Sequence, residues 1–104
     1  MQVVYISGAY RNKSINGVYE NIQKARTEAI KWWRKGYAVI CPHMNTALMD
    51  GSCDDSIWIK GDLEILSRCD IIVMLKGWRD SEGACCEWDD AVASGIEIIY
   101  QEDL

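Results

Sequence analysis

Ile71-Ile72-Val73-Met74-Leu75 is the most apolar run of the chain, and six residues after it Ser81-Glu82-Gly83-Ala84-Cys85-Cys86-Glu87 opens a helical pattern. A continuous apolar stretch bounded by turn signals reads as a strand buried on both faces, the kind found in parallel sheets flanked by helices. Working outward, residues 2–7 form a similar run stopped by Gly8, residues 37–41 one stopped by Pro42, and residues 96–100 a fourth; the quoted strand itself covers residues 70–75. Between the first two, Val18, Ile22, Ala25, Ala29 and Trp33 recur at helical spacing before Gly36. A second helix is expected over about residues 56–67 with Ile59, Leu63 and Leu66 inward. A third is expected over about residues 81–94 with Ala84, Trp88, Ala91 and Val92 on one side and Gly95 as its stop. Alternating strands and helices with right-handed crossovers predict an α/β single-domain, three-layer α/β/α architecture.

The sequence has 104 residues, of which 49% are hydrophobic, enough for one core and one domain spanning residues 1–104. It reads straight into a strand without a basic leader, and no apolar run approaches the roughly 18 residues that cross a bilayer, which predicts no membrane partner and a cytoplasmic location. Cys41, Cys53, Cys69, Cys85 and Cys86 are odd in number and include an adjacent pair, which suits reduced thiols. No Cys-x-x-Cys or His-x-x-x-His spacing supports a metal, so no metal or other cofactor is expected. A net charge of -5 without a basic stripe opposes a nucleic acid polymer as partner. Trp32 and Trp33 cannot both face one core, nor can Ile57, Trp58 and Ile59, so an apolar surface patch and a homodimer or higher homo-oligomer are expected.

Ligands of parallel α/β sheets gather at the carboxyl ends of the strands. There Ser7-Gly8-Ala9-Tyr10-Arg11 follows the first strand, where small residues admit an anion to the backbone and Arg11 offers a forked donor; the alternative is an ordinary turn with a surface arginine. Ser81 and Gly83 open the last helix, where N–H groups favour an anion, although Ser81 also reads as a cap and Asp80 and Glu82 add negative charge. Glu87 lies four residues after Gly83 and four before Ala91, on a stripe of small residues that leaves room above a carboxylate; pairing with a lysine is the alternative. Asp62 is the natural second acid, or else a surface residue beside Glu64. His43, the only histidine, follows the second strand and reads first as a packing or hydrogen-bonding residue bordering the pocket.

Taken together, Val4-Tyr5-Ile6-Ser7-Gly8-Ala9-Tyr10-Arg11, Cys41-Pro42-His43, Gly61-Asp62-Leu63 through Cys69-Asp70-Ile71-Ile72-Val73, and Ser81-x-Gly83-x-x-x-Glu87 resemble the nucleoside 2-deoxyribosyltransferase superfamily, in particular its short members and the deoxynucleoside 5-monophosphate N-glycosidases. The resemblance covers nearly the whole chain. It implies a flavodoxin-like (Rossmann-like) parallel sheet in the order 2-1-3-4. It implies Glu87 as the nucleophile that attacks the anomeric carbon, Asp62 as the group assisting proton transfer to the base, and Tyr5 lining the sugar and carboxylate pocket. His43 would stand near the base, with Ser7, Gly8, Tyr10, Arg11, Ser81 and Gly83 contacting substrate. Members acting on free nucleosides carry an aspartate at the position of Ser81, and a serine there tolerates a 5-phosphate, so a small-molecule nucleotide or nucleoside is the implied partner. Characterised members continue past the last strand into a segment that completes a neighbour's pocket. This sequence stops at Leu104, so the resemblance implies that base transfer is lost, leaving hydrolysis, capture of a nucleotide or ADP-ribose-like ligand without turnover, or a pocket completed differently.

Overall fold

The computed structural model describes residues 1–101; Glu102, Asp103 and Leu104, part of the short segment expected after the last strand, lie outside the described residues. Four strands, β1 (Val3–Ser7), β2 (Ala38–Ile40), β3 (Ile71–Met74) and β4 (Glu97–Tyr100), form one parallel sheet in the order β2-β1-β3-β4. Around it are α1 (Ile15–Arg34), the single turn α2 (Pro42–Asn45), α3 (Asp55–Ser67) and α4 (Glu82–Ser94), with a 3₁₀ turn at Trp78–Asp80. This is the three-layer flavodoxin-like fold and the strand order that the sequence predicts.

Strand periodicity divides the core in two. Val4 and Ile6 of β1, with Ile71, Val73 and Leu75, pack against Ala25, Ala29 and Trp32 of α1. Tyr5 of β1, with Ile72 and Met74, faces the opposite layer and meets Leu66 of α3 and Ala84 and Ala91 of α4. Ser7 shares the parity of Tyr5 and is fully buried, so two hydroxyl side chains point from the central strand toward α4.

Three inward assignments from helical spacing need correction. Trp32 is 4% exposed and Trp33 56%, the reverse of the expected stripe. The buried arc of α1 runs through Ile22, Ala25, Glu28, Ala29 and Trp32, which leaves Trp33 roughly 80° off axis from Ala25 at 100° per residue. Trp32 is also the better buried indole because its Nε1–H donates to Glu28 at 3.2 Å and Tyr37 packs edge-on at 5.0 Å. Val92 and Ile59 are half exposed rather than inward, since Ala84 and Ala91 carry the contact of α4, and Leu66 that of α3. The buried Glu28 has no signal in the apolar pattern. It accepts from Gln101 Nε2 at 3.0 Å and lies 3.5 Å from Lys31 Nζ, while Gln101 Oε1 accepts from Lys76 N–H at 2.8 Å. These contacts fasten the chain after β4 to α1 and to the end of β3.

Ser14 caps α1 by accepting from Gly17 N–H at 2.9 Å. Pro42 sits in the first turn of α2, where its missing N–H costs nothing. Gly95, with φ of 72°, closes α4 in the left-handed conformation that favours glycine.

Candidate active site

A cavity of about 620 Å³ opens beyond the carboxyl ends of β1 and β3, walled by the turn after β1, by α2 and α3, and by the start of α4. Gly8, Tyr10, Arg11, His43, Asp62, Ser81, Gly83 and Glu87 all line it, so chain segments far apart in sequence converge there. Tyr5 and Ser7 do not line it. Both are fully buried behind Glu87.

The carboxylate of Glu87 is the centre of this arrangement. Tyr5 Oη–H donates to its Oε2, and Ser7 Oγ–H donates to its Oε1 at 2.7 Å. Each oxygen therefore has one fixed hydroxyl donor from β1, and the partners are hydroxyls rather than a cation. Burial pushes the Glu87 carboxyl up to about 7, the two hydroxyl donors pull it down, and the negative charge of Asp62 raises it further. Burial also raises Asp62, which is half-buried on α3. The Tyr5 phenol is raised by its own burial and then by the Glu87 charge, so it stays protonated and a donor.

At the turn after β1, Gly8 is small for a packing reason. A Cβ there would come within 2.7 Å of Leu75 Cδ1 and 2.8 Å of Leu75 Cβ. The next residue, Ala9, offers its carbonyl to His43 Nε2 at 2.9 Å, which fixes His43 as the donor at that nitrogen. The His43 ring is 4% exposed, lies 5.9 Å from the Tyr10 ring, and has its basicity lowered by burial. His43 thus borders the cavity while holding the turn in place.

The cavity rim is built from pairs. Arg11 Nη2 lies 2.7 Å from Asp55 Oδ2, with both side chains largely exposed. Tyr10 Oη–H donates to Asp50 Oδ1 at 2.8 Å. Ser81 is the N-cap of α4, its Oγ accepting from Ala84 N–H at 3.2 Å, and Gly83 occupies the exposed first turn. Sequence reasoning missed Asp50, Asp55, Trp58 and Cys86 as lining residues. Only Trp58 carried a signal, in the Ile57-Trp58-Ile59 triplet that cannot face one core. Among the described residues, no group of three or more His, Cys, Asp or Glu is placed to hold a metal ion.

A parallel four-stranded sheet with an acid held at a cavity beyond the end of β1 defines a flavodoxin-like α/β protein with a candidate active site. The solved 2-deoxyribosyltransferase of Bacillus psychrosaccharolyticus, described as a biocatalyst for the synthesis of antiviral and antitumoral nucleosides, has the same fold. It superimposes with a TM-score of 0.68 at 18% identity over 94% of this chain and 70% of that one. Residues 2–100 match the family "Domain of unknown function (DUF4406)", and the chain belongs to it. No curated protein matches the sequence.

Proposed function

We propose that residues 1–104 form one nucleoside 2-deoxyribosyltransferase-like domain that cleaves the N-glycosidic bond of a deoxynucleoside or deoxynucleotide, with Glu87 as nucleophile and Asp62 as acid/base. The observation that carries this is a carboxylate facing an open cavity while two buried hydroxyls hold its oxygens from behind. A carboxylate placed only for structure is normally paired or filled over, because burying it without a partner is unfavourable.

In the first step an oxygen of Glu87 bonds to the anomeric carbon, the C–N electron pair passes to the base, and Asp62 supplies a proton to the departing nitrogen. In the second, water attacks the same carbon, its proton returns to Asp62, and the ester to Glu87 breaks. Tyr5 and Ser7 act through Glu87 as positioning residues. Two donors shared over its oxygens keep the nucleophile oriented and partly ionised near neutral pH. No metal or organic cofactor enters either step. The reading includes a cytoplasmic location, supported by five unpaired cysteines, and self-association through outward apolar residues such as Trp33 and Ile57. Light scattering checks the latter. No helix among the described residues is long and apolar enough to cross a membrane.

The test is product analysis by chromatography with purified protein and a panel of deoxynucleosides and their monophosphates. Base release by wild type and its loss in Glu87→Ala is the expected result. Absence of release from the whole panel, with Glu87→Ala binding every ligand as wild type does, refutes the enzymatic reading; a stabilised complex with intact ligand identifies a sequestering protein instead.

A further inference from the structure

The charge of this protein is unevenly placed. The sequence holds sixteen acidic and eleven basic residues. Six of the acids, Asp50, Asp55, Asp62, Asp80, Glu82 and Glu87, line the cavity with one basic residue, Arg11. Ten acids and ten bases remain for the rest of the sequence, so the formal net charge of -5 equals that of the lining of one cavity, where Glu87, lifted to about 7, carries its charge only in part at neutral pH. The single cation there is committed to Asp55 at 2.7 Å. His43 adds no compensating charge near neutral pH, because burial lowers its basicity. A phosphate entering the cavity would meet six acidic side chains against one paired base, and low-dielectric walls strengthen that repulsion.

Resting on the glycosidase reading of Glu87, we infer that the ligand is a phosphate-free N-glycoside whose base carries a positive charge, such as a ring-methylated purine nucleoside or a pyridinium riboside. The walls suit such a ring. Trp58 and Tyr10 are among the lining residues, where an aromatic ring attracts a cation, and the acidic side chains of the same lining supply opposite charge. The chemistry suits it as well. When Glu87 bonds to the anomeric carbon, the electron pair of the breaking C–N bond returns to the charged ring and neutralises it, so the base departs without a proton. Asp62 is then needed only in the second step, to take a proton from the attacking water before the ester to Glu87 breaks and releases the sugar. A cationic leaving group also places positive charge beside Glu87 and favours its ionised, nucleophilic form.

Isothermal titration and product chromatography on the intact protein test the inference with matched ligands. These are N1-methyl-2′-deoxyadenosine against 2′-deoxyadenosine, nicotinamide riboside against its uncharged dihydro form, and the 5′-monophosphate of each. Each cation is expected to bind at least about tenfold more tightly than its uncharged counterpart and its own monophosphate, with the ratio shrinking as salt rises toward about 0.5 M. The rim variant Asp80→Asn/Glu82→Gln narrows the same ratio. Monophosphates binding as tightly as their nucleosides, or uncharged ligands matching the cations, overturn it. Uncharged deoxynucleosides cleaved as well as cationic ones, in a Glu87-dependent way, leave the glycosidase reading intact while sinking this inference. A firm cation preference with no cleavage of any ligand does the reverse.

Discussion

Replacing Glu87 by glutamine is expected to make this protein more stable, increasingly so as pH rises. In the folded chain burial lifts the Glu87 carboxyl from 4.5 to about 7, so the native state keeps a proton that the unfolded chain has already lost. Stability therefore falls with rising pH across that window and is flat on either side. Below about pH 4.5 both states are protonated and the group contributes no difference. By linkage, the carboxyl costs about 2 kcal/mol of stability at pH 6 and about 3 kcal/mol at pH 7 and above. Glutamine has nearly the same shape, retains an oxygen that can accept from Tyr5 or Ser7, and removes the titration. Subtracting the unfolding free energy of wild type from that of Glu87→Gln, measured by urea titration between pH 4 and pH 8, isolates this one group. The difference should rise by about 3 kcal/mol over the range, equivalent to a melting temperature higher on the order of 10 °C at pH 8. A difference that stays level with pH would refute the reasoning, because the carboxylate would then be as comfortable in the fold as in water.

Ser7→Ala removes one of the two donors that lower the Glu87 carboxyl, so the alkaline rise of the pH–rate profile should move to higher pH while the profile's shape is kept. Gly8→Ala forces a methyl against Leu75 and should destabilise by about 1–3 kcal/mol in urea titration, with a lower midpoint and unchanged slope. Trp32→Phe withdraws the indole donor from the buried Glu28 and should cost about 1–3 kcal/mol; Trp33→Phe, on the exposed side, should stay within about 0.5 kcal/mol of wild type in the same assay.

The strands were legible because each is a short, mostly apolar and β-branched run bounded by turn signals, β3 without a break and β4 with only Glu97 interrupting it. Glu87 was legible because a charged residue amid Gly83, Ala84 and Ala91 breaks the local pattern. The positions of Trp32 and Trp33 were not, since adjacent indoles are equivalent by spacing and the choice fell to Glu28 and Tyr37, partners distant from any apolar count. Ser7 read as a ligand contact from its place after the strand, whereas strand parity directs it under Glu87. Arg11 read as a free anion donor, and its partner Asp55 enters only once α3 folds back across the cavity. Such long-range pairings between exposed charges leave no mark on local sequence.

The parity of β1 has one more consequence. Because Val4 and Ile6 look one way and Tyr5 and Ser7 the other, threading this strand a single place out of step would set aliphatic side chains under Glu87 and drive two hydroxyls into the greasy layer beneath α1. The acid thus acts as a proofreader of the fold: a molecule assembled out of step cannot seat it, and whatever chemistry the cavity performs is reserved for chains that have zipped correctly.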